Sequence, residues 1–552
     1  MNRRIALFAT LALGLTACGG GGAGSSPVVV PPPPPPPVTK AEAFQFLNQA
    51  SFGATEAEAD RVMSMGIDAW IDEQMRLPMS LQMPHMRTLP KQPFSMFQLQ
   101  KDRVDIFFRN ALHGSDVLRQ RVAFALSEIM VTSDKGALVD FPYSLADYYD
   151  VLTRHAFGNY RDLIEEVTLH PAMGVYLSML GNEKPDPANN IRPDENYARE
   201  LMQLFSIGLV ELNLDGTARL DAQNQPIPTY DQSVIEGFAH VFTGWTYAGV
   251  GDFHAQWPPE ASQYTPMQLW SQYHDNGTKT LLHGVVLPAG QTGAQDLDAA
   301  LDNIFQHANV GPFISRALIQ RLVTSNPSPD YVSRVATVFN DNGSGVKGDL
   351  GAVVKAILTD AEARPAVVSD TDGKIKEPLL RILQLWRAYD ARSDGGRYPI
   401  DYLWVFFGQG PLQAPHVFNF FAPTFSPPGE FRSRGLVAPE LEIATEYLNS
   451  FSSNFMLWQI FYWTWNAERP SDNNDITDDT ILIDYAEEMA IAGDVDALID
   501  RVDGKLLGGT MSGMLRQQIS TMVSQMPADQ PQLRAAEVIY LVVTSPEFVY
   551  QR

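Results

Sequence analysis

Cysteine is the scarcest residue here: Cys18 is the one thiol in 552 residues, which excludes a disulfide framework and any thiolate metal cluster. Basic residues are also short. Lys and Arg number 40 against 64 Asp and Glu, a formal net charge of -24, and such a field repels phosphate backbones, so nucleic acid is excluded as a partner. No apolar run is long enough to span a bilayer. The usual catalytic signatures are missing as well: there is no G-x-S-x-G elbow, no H-E-x-x-H, no Walker loop and no G-x-G-x-x-G between a strand and a helix. Aromatic surface, in contrast, is plentiful. The 9 Trp, 19 Tyr and 29 Phe are hidden only by packed cores, so the chain is globular rather than disordered. Single cores stop growing near roughly 250 to 300 residues, so a chain of this length is expected to form two or more lobes.

The N-terminus is a leader. Arg3 and Arg4 precede the apolar run Ile5 to Ala17, which has the length of a signal-peptide core. The run ends in Leu15-Thr16-Ala17-Cys18-Gly19, which resembles the lipobox of bacterial lipoproteins, where the cysteine is acylated and becomes the first mature residue. Residues 1–17 are therefore read as a signal peptide and Cys18 as the lipidation site. Gly19 in place of aspartate resembles the pattern of lipoproteins sent to the outer membrane, facing the periplasm or the cell surface. Residues 18–40 are Gly/Ser-rich and then proline-rich. The unbroken run Pro31 to Pro37 acts as a stiff spacer of about 20 Å at roughly 3.1 Å per residue.

From Ala41 the pattern is helical, and the expected fold class is mainly α: a multi-helical globular protein with a small β-hairpin, after a disordered tether. Thr55-Glu56-Ala57-Glu58 reads as a capping box, and Ser115 as the cap of a helix with one apolar face through Leu118, Val122, Ala125, Leu126 and Ile129. Periodic segments follow at 144–156, 159–169, 194–207, 231–242, 297–307, 312–324, 330–340, 349–359, 376–390 and 531–543. Leu209 to Leu220 alternates around Asp215-Gly216 and predicts the hairpin. Irregular stretches at 181–193, 248–295 and 466–480 are the candidate lobe boundaries.

Several segments together resemble the bacterial family catalogued as domain of unknown function 1800. They are Phe46-Leu47-Asn48-Gln49-Ala50-Ser51-Phe52-Gly53, Leu118-Arg119-Gln120-Arg121-Val122-Ala123-Phe124-Ala125, Glu195-Asn196-Tyr197-Ala198-Arg199-Glu200-Leu201, Thr243-Gly244-Trp245, His274-Asp275 with Lys279, Lys347-Gly348-Asp349-Leu350 and Ser545-Pro546-Glu547-Phe548. They run from Ala41 to Arg552. The resemblance implies an exported, mostly helical protein and transfers no activity.

Three constellations carry the chemistry. Asn196 and Glu200, four apart, project from one helix face, while Tyr197, Leu201 and Leu204 form the buried stripe and Glu195 and Arg199 pair in the favourable order. Either this is a helix solubilised by that ion pair, or Glu200 and Asn196 offer hard oxygens that His240, His274 and Asp275 complete into a site for a divalent metal ion or a catalytic pocket. The loop Asn340 to Asp349 superficially resembles a calcium loop, but its twelfth position is Gly351, so it reads as a turn with Asp349 capping the next helix. Between Tyr402 and Trp465, 17 of 64 residues are aromatic. Most belong to a core, and Trp458, Trp463 and Trp465 are the candidates for an exposed surface that binds a glycan or a partner. Two function classes stay open. One is a lipid-anchored protein that binds or assembles an extracytoplasmic polymer or a co-secreted partner; the other is a metal-assisted hydrolase or modifying enzyme of envelope polymers.

Overall fold

The computed structural model describes residues 37–89, 96–365, 369, 371–400, 402–464 and 476–552. The leader, Cys18, most of the tether and Trp465 lie outside the described residues. Val38 to Arg552 forms one compact unit, mainly α-helical, with three two-stranded antiparallel ribbons. No helix among the described residues is long and apolar enough to cross a membrane.

Two helices are buried on every side, Val117–Ser127 and Pro378–Ala388. A helix without a wet face belongs at the centre of a fold. The sequence pattern predicts one apolar face for the first of them, but Arg119, Gln120 and Arg121 on its other face are buried too. Main-chain carbonyls take up part of their hydrogen-bonding capacity: Arg119 donates to Thr153 at 3.3 Å and Met75 at 3.0 Å, Gln120 to Ser80 at 3.0 Å, and Arg121 to Arg321 at 2.6 Å, while Arg121 Nε and Nη1 stay unbonded. Its cap also differs from expectation. Asp116, not Ser115, precedes the first turn, and its carboxylate accepts from the Ser80 N–H at 3.0 Å instead of capping.

One apolar core joins residues from Ala43 to Phe548. The last strand residues, Tyr550 and Gln551, pair with Ile375 and Lys374 in the middle of the chain. Beneath this ribbon lies a buried polar network. Lys374 bonds Glu377 at 3.3 Å and Glu440 at 3.0 Å, while Gln409 donates to Glu377 at 2.6 Å. Removing two carboxylates and one cation from water is tolerated because each is paired or hydrogen-bonded.

The periodic segments form helices, with shifted ends. The segment at 297–307 starts at Gly293, because Thr292 and Gln295 make a reciprocal capping box. Thr55 caps its helix, but Glu58 is drawn off to Arg387 at 2.6 Å, so the expected box there is only half made. The hairpin at 209–220 is present, with bridges between Leu212 and Ala218 and a third segment returning to pair Val210 with Pro228.

Candidate functional site

The irregular stretch 185–193 and the helix Gln232–Val241 enclose a cavity of about 420 Å³. Asp231 starts that helix by accepting from the Ser233 and Val234 N–H groups, which fixes where its last turn delivers His240. Gly237 lets the helix sit on the strand Lys279–Thr280, since a Cβ there would meet the Thr280 carbonyl oxygen at 1.9 Å. This close approach brings the loop at 274–279 under His240.

The Asp275 carboxylate bonds His240 Nδ1. It is held by the Gly277 N–H at 2.7 Å, and the Asp275 N–H donates to Thr243 Oγ1 at 2.9 Å. Burial alone would push the Asp275 carboxyl up, but the bonds from His240 and Gly277, with Lys279 nearby, hold it below the ordinary carboxylate range. His240 Nε2 has no partner among the described residues, and the ring lines the cavity beside Glu195 and Glu236. Gln232 Nε2 bridges those two carboxylates, at 2.9 Å and 3.5 Å.

His274 turns the other way. Its Nδ1 faces the Thr243 carbonyl at 3.0 Å and its Nε2 faces Asp296 at 3.0 Å. Lys279 Nζ lies 2.7 Å from the same Asp296 oxygen and donates to the Asp275 and Gly277 carbonyls at 2.6 and 3.0 Å. Lys279 therefore supplies the positive charge beside Asp296.

The remaining candidates do not join this cluster. Glu200 is 6% exposed, yet its Oε2 has no hydrogen-bond partner, and burial raises its carboxyl with only Arg199 opposing. No hydrogen bond or ion pair connects it to His240, His274 or Asp275. Asn196 is exposed at the start of the helix. Glu195 and Arg199 pair at 2.9 Å as expected. Of the five residues expected to share one pocket, His240 and Asp275 bond each other, His274 faces Asp296 beside Lys279, and Glu200 and Asn196 are bonded to neither group. Among the described residues no group of three or more His, Cys, Asp or Glu side chains is arranged to hold a metal ion. Sequence reasoning missed Asp296, which sits in the first turn of a helix 22 residues beyond His274 and looks there like an ordinary helix-start acid.

The second constellation is aromatic. Ile400, Tyr402, Phe406, Trp458 and Trp463 line a cavity of about 370 Å³, with Thr477, Asp479 and Thr480 on its polar side and Trp386 and Gln459 within it. Trp386 Nε1 donates to Gln459 at 3.0 Å, and Gln459 to the Ile481 carbonyl at 2.9 Å, so this wall is fixed. Trp458 is 39% exposed and Tyr402 65%; Trp463 is half-buried, its edge on Phe455 at 5.4 Å. A helix with 100° per residue sets residues five apart about 140° apart. Here Trp458–Trp463 is a turn of π-helix, whose i→i+5 bonding returns the fifth residue to the same side, and both tryptophans reach one cavity. Ring contacts continue outward from Trp458 to Phe406 at 5.7 Å, to Phe451 at 6.3 Å and to the exposed Tyr447 at 4.3 Å.

No curated protein and no solved structure matches the chain significantly. A family model does match, over residues 45–550, essentially the whole compact unit. The chain belongs to that family, described as protein of unknown function DUF1800.

Proposed function

We propose that this is a cell-envelope protein, anchored through a lipid on Cys18, whose aromatic surface binds an extended neutral glycan of the envelope. The observation that carries the reading is the line of rings from Tyr447 through Phe451 and Phe406 to Trp458 and Tyr402, open to solvent at both ends and ending beside Thr477, Asp479 and Thr480. Flat apolar rings stack on the faces of sugars while flanking oxygens take up hydroxyl protons. Tyr402 adds support: its φ of 61° is a left-handed conformation that costs a non-glycine residue about 1 to 3 kcal/mol, and such strain is kept where a side chain is held for use. The charge of -24 turns acidic polymers away, which leaves neutral ones.

The test is retention of the full chain on insoluble cellulose, chitin and xylan, with tryptophan fluorescence titrated by the matching hexasaccharides. Binding to at least one is expected, weakened about tenfold or more by Trp458→Ala or Tyr402→Ala, the size typical of a central aromatic contact. Retention on none of them, or equal retention of both variants, overturns the reading.

One observation favours a second reading. Asp275 orients His240 at the edge of a cavity that also holds Glu195 and Glu236, and an imidazole so held is suited to take a proton from water during hydrolysis of an envelope polymer. In this form the reaction uses His240 Nε2 as base. Hydrolysis that is lost in both His240→Gln and Asp275→Asn supports it; activity unchanged in His240→Gln removes it.

A further inference from the structure

On the far side of the ribbon that joins Lys374–Ile375 to Tyr550–Gln551 is a cavity of about 320 Å³. Its walls are apolar: Ile375, Leu441, Met456, Val543 and Val549. One strong donor enters it, the guanidinium of Arg381, a residue only 8% exposed on the central helix Pro378–Ala388.

Arg381 Nε donates to the Lys376 carbonyl at 2.8 Å. Its Nη1 and Nη2 have no hydrogen-bond or ion-pair partner among the described residues, and they remain accessible from the cavity. The nearest acid that acts on it, Glu440, is already bonded to Lys374 at 3.0 Å. A second buried cation stands beside it. Lys376 donates to Gln384 at 2.5 Å and lies over the Phe548 ring at 4.1 Å, again with no carboxylate. Burial and this like-charge neighbour push the Lys376 ammonium well below its ordinary value, and burial draws Arg381 down to about 10. In a chain of such acid excess, two adjacent buried basic groups with no carboxylate bonded to either are a cost, and an anion in the cavity would offset it at Arg381.

The other polar groups of the cavity are spent on the main chain. Ser452 Oγ donates to Leu448 at 2.7 Å, Ser453 Oγ to Asn449 at 2.8 Å, Thr544 Oγ1 to Tyr540 at 2.7 Å, and Asn449 Nδ2 to Ala444 at 3.2 Å. The free charged donors of the cavity are thus the two parallel N–H groups of one planar fork, which match the two oxygens of a carboxylate. We propose that this cavity is a binding site for a small aliphatic carboxylate, its oxygens on Arg381 Nη1 and Nη2 and its hydrocarbon body against Ile375, Leu441, Met456, Val543 and Val549. The volume is at the small end of ligand pockets, which fits a short chain rather than a folded lipid.

Calorimetric titration of the full chain with hexanoate, hexanol, inorganic phosphate and acetyl-leucine tests this. Hexanoate is expected to bind saturably at one site, at least about tenfold tighter than hexanol or phosphate, since a charge-assisted fork is lost in the one and apolar contact in the other. Arg381→Lys, which keeps the charge but not the fork, should weaken hexanoate about tenfold or more. Because Arg381 is buried, Ser453→Trp gives an independent arm: half-buried on a helix at the cavity wall, it fills the cavity and should abolish binding with the circular dichroism unchanged. Equal affinity for hexanol, tighter binding of phosphate, or saturation that persists in Ser453→Trp overturns the proposal. Tighter binding of acetyl-leucine than of hexanoate also overturns it, in favour of a peptide C-terminus.

Discussion

Replacing Lys279 by methionine tests whether the ammonium, and not a metal ion, neutralises the acid beneath the His240 cavity. Lys279 and Asp296 are each 1% exposed at the side chain and 2.7 Å apart. At an effective dielectric near 20 the gross attraction at that separation is about 6 kcal/mol. Desolvation of two ions offsets much of it, so the net value of the pair against an apolar pair is small. The single variant is different. Lys279→Met leaves the Asp296 carboxylate buried with His274 at 3.0 Å as its one partner and with Oδ1 already unbonded. Loss of one member of a buried pair costs about 3 to 5 kcal/mol. Urea unfolding followed by circular dichroism reads this as a lower midpoint at constant slope, and the double variant Lys279→Met with Asp296→Leu should recover about half of the loss or more. EDTA should leave the parent midpoint unchanged. A loss in Lys279→Met below about 1 kcal/mol, or costs that simply add in the double variant, would refute the reasoning, because residues that share one charge pair must couple.

Asp150 carries a pH dependence. Burial raises its carboxyl to about 7 although it accepts from the Gln82 and Met83 N–H groups. The folded state thus holds the proton more tightly than the unfolded chain, so the stabilising contribution of Asp150 is present in full below about pH 4 and falls by up to about 4 kcal/mol as pH rises to 7; Asp150→Asn should remove that component from unfolding measured across the range. Gly237→Ala, whose methyl would meet the Thr280 carbonyl, should cost a few kcal/mol and displace His240 from Asp275, seen as a lost imidazole–carboxylate signal in proton NMR. Tyr402→Gly should raise the free energy of unfolding by about 1 kcal/mol, read as a higher urea midpoint, by releasing the left-handed strain, while it removes glycan retention.

Helices were legible wherever an apolar stripe met a cap, as at Asp231 and at Asp349, whose side chain accepts from the Ala352 N–H. The calcium-like loop resolves as the sequence implies, into turns in which Asp341 accepts from Gly343 and Gly345. The pairing of His240 with Asp275 was within reach because both residues drew attention by type. Asp296 and Arg381 were not, since each carries an ordinary label along the chain and gains its meaning from neighbours brought by tertiary packing. Glu200 is the converse case: spacing sets it on a face with Asn196, yet in the fold Asn196 stays exposed while Glu200 is buried with Oε2 unbonded. Trp458 and Trp463 reach one cavity through a change of helical pitch that no period-of-3.6 pattern detects.

That change of pitch has a genetic meaning. A π turn is what remains in a helix after one residue too many has been inserted, and its backbone is ordinarily the weaker arrangement. Thr464 Oγ1 ties it off by reaching back to the Gln459 carbonyl at 2.9 Å. Deleting any one residue between Trp458 and Trp463 would let the helix from Glu446 close into regular α form, and everything beyond the deletion would swing by about 100°. Composition would be almost unchanged and helicity would rise, yet the two indoles would face apart. In this segment the number of residues is therefore constrained more tightly than their kinds: substitutions tune the groove, while a single-codon deletion dismantles it.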